Sequence, residues 1–163
     1  MSRFVAAAAA LVLLGCGDDT GPLCQDPDPS ITPAETRTLT IGDSSGPWTD
    51  GQEVPLVWGG QGGIMITPVL RIEGGATPSD EPLCVLVTLV NETDVEEAAP
   101  GLERLRVLDA RDGGWESDPL EDFLGFAPSP FIGQQLTIEV TVIDQDSTFE
   151  ATGSVTVTLA APT

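Results

Sequence analysis

Apolar residues alternate with polar residues along most of this chain, and that period of two limits its fold more than any other feature. The clearest case runs from Leu136 to Val142, where every second residue is apolar and the residues between are Thr or Glu. A strand places successive side chains on opposite faces, so the pattern predicts a half-buried strand and not a helix. A turn at 144–147 and the same alternation from Val155 to Leu159 predict a terminal hairpin.

The same period recurs upstream, beginning at Thr36. It predicts further strands around the apolar residues Leu39 and Ile41; Val54, Leu56 and Trp58; Ile64, Ile66, Leu70 and Ile72; and Val85, Val87 and Leu89. Pro68 indicates an edge or a bulge, because proline cannot donate to a ladder. Gly59 to Gly63 predicts a turn and therefore a second hairpin.

About seven or eight short strands, with Leu102 to Leu108 among them and no helical stretch, predict an all-β fold. The arrangement expected is an antiparallel immunoglobulin-like β-sandwich, because the final hairpin resembles the closing strands of that class. Trp58 is in phase with Val54 and Leu56 and is predicted in the core. Trp48 fits either the core or the surface.

Residues 1–15 carry the three parts of an export signal: a basic start at Arg3, an apolar run from Phe4 to Leu14 and the small Gly15. The apolar run is too short for a membrane helix, which needs about 20 residues. Leu13-Leu14-Gly15-Cys16 resembles the lipobox of bacterial lipoproteins, in which the cysteine becomes the first residue and carries diacylglycerol. The resemblance implies a lipid anchor on Cys16; the alternative is an ordinary signal peptide with a chance cysteine.

Residues 16–35 are rich in Asp, Pro and Gly and predict a disordered tether, followed by one domain over 36–163. The stretch from Val54 to Gly63, with Leu70-Arg71 after it, is similar to small uncharacterised myxobacterial lipoproteins. That resemblance implies a cell-envelope location and a fold, and it implies no activity.

Two cysteines, Cys24 and Cys84, are left if Cys16 is lipidated. In an oxidising compartment they are expected to form a disulfide. The alternative is two free thiols, with Cys84 filling core space as a small apolar residue. A metal site built from two cysteines without histidine is not expected.

Acidic residues number 26 against 6 basic ones, which are all Arg. Such a charge repels phosphate backbones, so nucleic acid is not an expected partner. It also repels anionic lipid head groups, so membrane attachment depends on the lipid. An envelope protein or a carbohydrate is the expected ligand, and the inner or outer membrane is left open.

The absence of His, Lys and Tyr excludes most catalytic constellations. Glycoside hydrolysis by a pair of carboxylates remains an open alternative, although no sequence motif marks such a pair. Calcium is the one cofactor considered, because hard cations take oxygen ligands in loops. The candidate ligands lie in the terminal turn and in another loop: Asp144, Asp146, Asp109 and Asp112. The alternative is that Asp is common in turns for conformational reasons.

Residues 109–134 are predicted as a long connection that carries four aromatic rings: Trp115, Phe123, Phe126 and Phe131. Long loops often bind ligands, and aromatic side chains supply much of the energy at contact sites. The alternative is that these rings cover one end of the sandwich.

These observations favour a lipid-anchored, non-catalytic module of the cell envelope with a binding, adhesion or structural role. The competing hypotheses are a carboxylate-dependent carbohydrate enzyme, a calcium-binding sandwich, and a subunit that joins an envelope assembly through an edge strand.

Overall fold

The computed structural model describes residues 32–74, 83–91, 102–106, 108–111, 114–144 and 149–162. The predicted signal peptide and most of the predicted tether therefore lie outside the described residues. Within the described part every regular element is a strand. A search of the same residues finds no helix that is long and apolar enough to span a membrane.

Thirteen strands follow one another along these residues. They are β1 (Glu35–Asp43), β2 (Gly46–Pro47), β3 (Glu53–Pro55), β4 (Val57–Trp58), β5 (Ile64–Ile66), β6 (Val69–Glu73), β7 (Leu83–Asn91), β8 (Leu102–Arg106), β9 (Asp109–Arg111), β10 (Gly114–Glu116), β11 (Asp122–Gly125), β12 (Gln135–Ile143) and β13 (Phe149–Ala160). Seven of them, β1, β6, β7, β8, β11, β12 and β13, have four residues or more.

The terminal hairpin is confirmed and forms the centre of the larger sheet. β12 and β13 are antiparallel from the pair Gln135–Thr158 to the pair Ile143–Glu150. β7 pairs with the other side of β12, and β8 pairs with β7, which gives the order β8-β7-β12-β13. The predicted strand in 102–108 is therefore confirmed as β8.

β1 carries the chain from this group of strands to a second group. Its first half is parallel to β13, with Glu35 opposite Phe149, while its second half is antiparallel to β6, with Leu39 opposite Ile72. β10 and then β9 continue beyond β6. A strand that changes partners midway joins two groups of strands without a loop, as is common in sandwiches.

A small third sheet has the order β11-β5-β4 and positions the site described below. Ile64 and Ile66 of β5 are fully buried, while Met65 between them is partly exposed. Since strand side chains alternate, the inner face of this sheet joins the core and its outer face is available to solvent.

One hydrophobic core contains side chains from all three groups of strands. The apolar residues whose alternation predicts strands are buried, with the exception of Trp58. Fully burying a Val, Leu or Ile side chain contributes about 1.5–3 kcal/mol, so this core is the main source of stability. The prediction of an all-β sandwich is confirmed.

Three expectations are wrong. Trp58 is 51% exposed and not in the core, because it is the last residue before the hairpin turn and lies where the core ends. Residues 109–134 are not one long connection, since they contain β9, β10 and β11. Asp109 lies in a strand opposite Glu116 and not in a loop.

Candidate functional site

A pocket of about 480 Å³ lies beside the turn that joins β4 to β5, and we call it the hairpin pocket. Its volume is within the range of about 300–1,000 Å³ that is usual for ligand sites. The residues that line it come from the turn, from β5 and from the two ends of β11: Gly59, Gly60, Gln61, Gly63, Met65, Glu121 and Phe126.

The glycine-rich turn forms one wall and is held by its own backbone. The Gly59 amide donates to the Gly63 carbonyl (2.8 Å), and the Gly62 amide donates to the Gly59 carbonyl (2.9 Å). Gly62 has a φ of 79°, a left-handed conformation that favours glycine. The wall is therefore a hydrogen-bonded turn with a fixed shape.

Met65 lies against this turn because Gly59 has no side chain. A Cβ atom at Gly59 would come within 2.3 Å of the Met65 Cε atom. The thioether of Met65 is flexible and polarisable, so it gives the pocket an apolar surface that can adapt to a ligand.

Glu121 is placed in the pocket lining by two buried neighbours. Leu120 is buried and its amide donates to the Pro68 carbonyl (2.8 Å), and Asp122 is buried as the first residue of β11. Because the side chains alternate along this extended segment, Glu121 is directed to the surface and is exposed.

Phe126 is the most exposed large apolar side chain among the described residues, at 77%. The backbone after it is well fixed: the Phe131 amide donates to the Pro128 carbonyl (2.9 Å), and the Gly133 amide donates to the Leu159 carbonyl (2.7 Å). Trp58 is also exposed, but it is opposite Ile64 in the register and so lies on the other face of the small sheet from Met65. An exposed ring in the wall of a pocket is a feature of contact surfaces.

Of the four rings predicted as a binding loop, the three whose side chains are described do not lie together. Trp115 is buried and packs against the Phe149 ring, with 5.3 Å between centroids and the ring planes tilted by 55°, and the Arg37 guanidinium lies 5.2 Å from its centroid. Phe131 is partly buried and packs against the core. Phe126 lines the hairpin pocket, and it is the only one of the three described rings that does; the side chain of Phe123 lies outside the described residues.

The sequence interpretation missed the Gly59–Gly63 wall and Glu121 as site residues. The four glycines of the turn are the available signal for the wall, and no local pattern marks Glu121.

The calcium candidates are divided between distant parts of the chain. Asp144 accepts a hydrogen bond from the Phe149 amide (3.1 Å) and so closes the terminal hairpin. Asp109 is exposed in β9, and Asp112 and Asp146 lie outside the described residues. Among the residues that the structure describes, no three His, Cys, Asp or Glu side chains form a metal-binding group. Calcium binding stays a prediction.

Cys84 is buried near the start of β7, where it faces Ile143 of β12 and Leu105 of β8 in the register. It is disulfide-bonded. Cys16 and Cys24 lie outside the described residues, so the lipid on Cys16 and the Cys24–Cys84 pair both stay predictions.

Comparisons with known proteins give no name to this site. No protein-family model and no curated protein match the chain. Among solved structures, the CooA pilin subunit from enterotoxigenic Escherichia coli is 14% identical, with a TM-score of 0.36 over 77% of this chain and 99% of the pilin chain. A TM-score this low carries no conclusion about function.

Proposed function

We propose that the chain is a lipid-anchored protein of the bacterial cell envelope, and that its sandwich is a non-catalytic binding module. The ligand would occupy the hairpin pocket. One observation carries the binding role: an ordered pocket of about 480 Å³ has the exposed Phe126 ring in its wall.

The exposed ring supports binding because apolar surface left in water is unfavourable by about 25 cal/mol per Å². Single exposed apolar residues are ordinary, but an exposed ring such as Phe126 in the wall of a concave pocket is typical of a contact site. The rigid turn and the hydrogen-bonded loop after Phe126 reduce the conformational entropy that a ligand would have to remove on binding.

The residues that line the pocket support binding without catalysis. Among the described residues of its lining there is one carboxylate, Glu121, whereas hydrolysis of a glycoside by acidic side chains requires two carboxylates at about 5–10 Å on either side of the bond. The chain also has no His, Lys or Tyr that could transfer a proton at neutral pH.

The anchor is tested by metabolic labelling with a fatty-acid analogue in cells that produce the wild type or the Cys16→Ala variant. We expect label and membrane fractionation for the wild type and neither for the variant, because the acyl chains bind far more firmly than the acidic body does. An unlabelled wild-type protein in the soluble fraction would overturn the anchored role.

The binding role is tested in whole cells with a photo-reactive amino acid placed at Gln61, on the pocket wall. The matched control carries it at Glu139, which is exposed on β12. We expect a defined cross-linked adduct from position 61 and none from position 139. Equal labelling from both positions, or none from position 61, would contradict a binding site in the hairpin pocket.

A further inference from the structure

The charge around the hairpin pocket narrows the class of its ligand. The full chain has a net charge of −20 with six Arg as its only cationic side chains. The described side chains of Arg37 and Arg71 are both engaged within the protein. Arg37 binds Glu35 and the Gly74 carbonyl, and Arg71 binds Glu116 (2.7 Å) and the Asp43 carbonyl (2.6 Å).

The pocket itself combines one negative charge with aromatic and apolar groups. Its described lining residues include the Glu121 carboxylate, the Phe126 ring and the Met65 thioether, and none of these described residues is basic. An aromatic face attracts a cation through its quadrupole, and Arg and Lys stems pack well on apolar surface while the charged end meets a carboxylate.

We propose that the hairpin pocket takes an arginine or lysine side chain from a basic segment of a partner protein. This inference rests on the proposed binding function and adds the chemistry of the ligand. The cationic group would lie between Glu121 and the Phe126 ring, and its aliphatic stem would lie on Met65 and the glycine turn.

A basic segment fits the whole molecule better than a small cation does. A field produced by an excess of 20 negative charges acts on every positive charge of an approaching segment, whereas a single ammonium ion gains only the contacts inside the pocket. The same field repels a second copy of this chain and repels anionic ligands. A neutral sugar gains nothing from it.

The experiment uses the full-length lipidated protein in neutral-lipid nanodiscs and a fluorescent peptide with several arginines separated by Gly and Ser. The matched probe replaces each arginine with citrulline, which has nearly the same shape and no charge. We expect the arginine peptide to bind at least about tenfold more tightly than the citrulline peptide at low salt, and its affinity to fall as salt is raised.

Two variants locate the binding. We expect Glu121→Gln and Phe126→Leu each to weaken the arginine peptide about threefold, which corresponds to the loss of one exposed charge or ring contact. The matched controls are Glu139→Gln, an exposed acid on β12, and Ile132→Ala, an apolar residue with 45% exposure outside the pocket lining. We expect both controls to bind like the wild type, and melting curves check that all four variants fold.

Three outcomes would overturn the proposal. Equal affinity for the citrulline peptide would show that charge is not recognised, and equal weakening by Glu139→Gln would show a diffuse effect of surface charge. Competition by neutral oligosaccharides, with no binding of the arginine peptide, would assign the pocket to sugars. In the first and third cases the adduct from position 61 would persist, so the binding function would survive; loss of that adduct would remove both proposals.

Discussion

Gly153 of β13 lies directly against the backbone of β1 at Leu39. A Cβ atom at this position would come within 2.3 Å of the Leu39 carbonyl oxygen and 2.8 Å of its Cδ2 atom. The Leu39 carbonyl belongs to the backbone of β1 and cannot rotate away. The close approach of the two strands therefore requires glycine at position 153. This glycine lies near the point where β1 stops pairing with β13 and begins to pair with β6.

We predict that Gly153→Ala lowers the free energy of unfolding by about 2–3 kcal/mol, because overpacking against backbone displaces a strand. Gly60→Ala is the matched control, since nothing lies within 4 Å of a Cβ at that position, and its effect should stay within about 0.5 kcal/mol. Urea unfolding of both variants measures the difference. Similar midpoints for the two would contradict the close contact.

Asp43 stabilises the turn between β1 and β2 through its charge. Its carboxylate accepts hydrogen bonds from the hydroxyl and amide of Ser45 and from the indole N–H of Trp48 (2.9 Å). These bonds, with the Ser45 hydroxyl contributing most, lower the pKa of Asp43 below its ordinary value of 3.8. Trp48, which fits either location by sequence, is buried because this bond satisfies its N–H.

We predict that Asp43→Asn lowers the free energy of unfolding by about 1 kcal/mol at neutral pH, because bonds to a charged acceptor are stronger than those to a neutral one. The pKa of Asp43 is lower in the folded state than in the unfolded state. Its contribution is therefore complete above pH of about 4 and is lost as the pH falls through the folded value.

Urea unfolding from pH 7 to pH 3 checks this, with Glu139→Gln as the control at an exposed acid. The difference between the wild type and Asp43→Asn should narrow below pH of about 4. A constant difference over the whole range would mean that the charge of Asp43 contributes nothing.

The turn between β4 and β5 depends on the left-handed conformation of Gly62. We predict that Gly62→Ala lowers the free energy of unfolding by about 1 kcal/mol, because alanine adopts a positive φ at a cost. Gly62→Asn should lower the free energy of unfolding by less, since asparagine tolerates this conformation better than other side chains do. Thermal unfolding compares the two variants, and an alanine variant as stable as the asparagine variant would contradict the reason given.

The strands whose pairing is local follow directly from the sequence. β12 and β13 are adjacent in sequence, and their alternation sets both the buried face and the register, because a shift by one residue would expose Ile138 and Val140. The alternating pattern also predicts the buried residues of β5 and β6. It does not predict that these two strands belong to different sheets, because Pro68 marks an interruption in the hydrogen-bond ladder without indicating which strand each of them pairs with.

The candidate site could not be predicted to the same degree because its walls meet through long-range contacts. β5 meets β11 across more than 50 residues of chain, so the proximity of Met65 and Glu121 is absent from any local pattern. Side-chain exposure also depends on contacts that a local pattern does not contain. Trp58 is in phase with the core but lies past its end, whereas Trp115 lies in a polar stretch and is covered by Arg37 and Phe149.

β7 is held by pairing with β12 and β8, and the predicted disulfide would connect it to the tether through Cys84 and Cys24. We predict that reduction lowers the free energy of unfolding by up to about 4 kcal/mol, because the bond closes a loop of about 60 residues in the unfolded chain. Melting with and without a reductant measures this, with Cys84→Ala as a variant that should not respond. Peptide mapping under non-reducing conditions identifies the pair; alkylation of both thiols without reduction would contradict it.

The charge of the whole molecule affects its stability and its proposed binding in opposite directions. With a net charge of −20, folding brings carboxylates closer together than in the unfolded chain, and their repulsion disfavours the compact state. Raising NaCl from about 0.01 M to 0.5 M shortens the Debye length from about 30 Å to about 4 Å, so it screens this repulsion. We therefore predict that the melting temperature rises by several degrees over this range.

The shape of the salt dependence separates screening from a general solvent effect. Screening should level off above about 0.5 M, where the Debye length is already shorter than the spacing of most surface charges, whereas exclusion of salt from the surface would continue to raise the melting temperature. Over the same range the arginine peptide should bind less tightly, because the attraction that guides it is screened as well. A melting temperature that falls with salt would contradict the view that the excess of negative charge lowers the stability of the folded state.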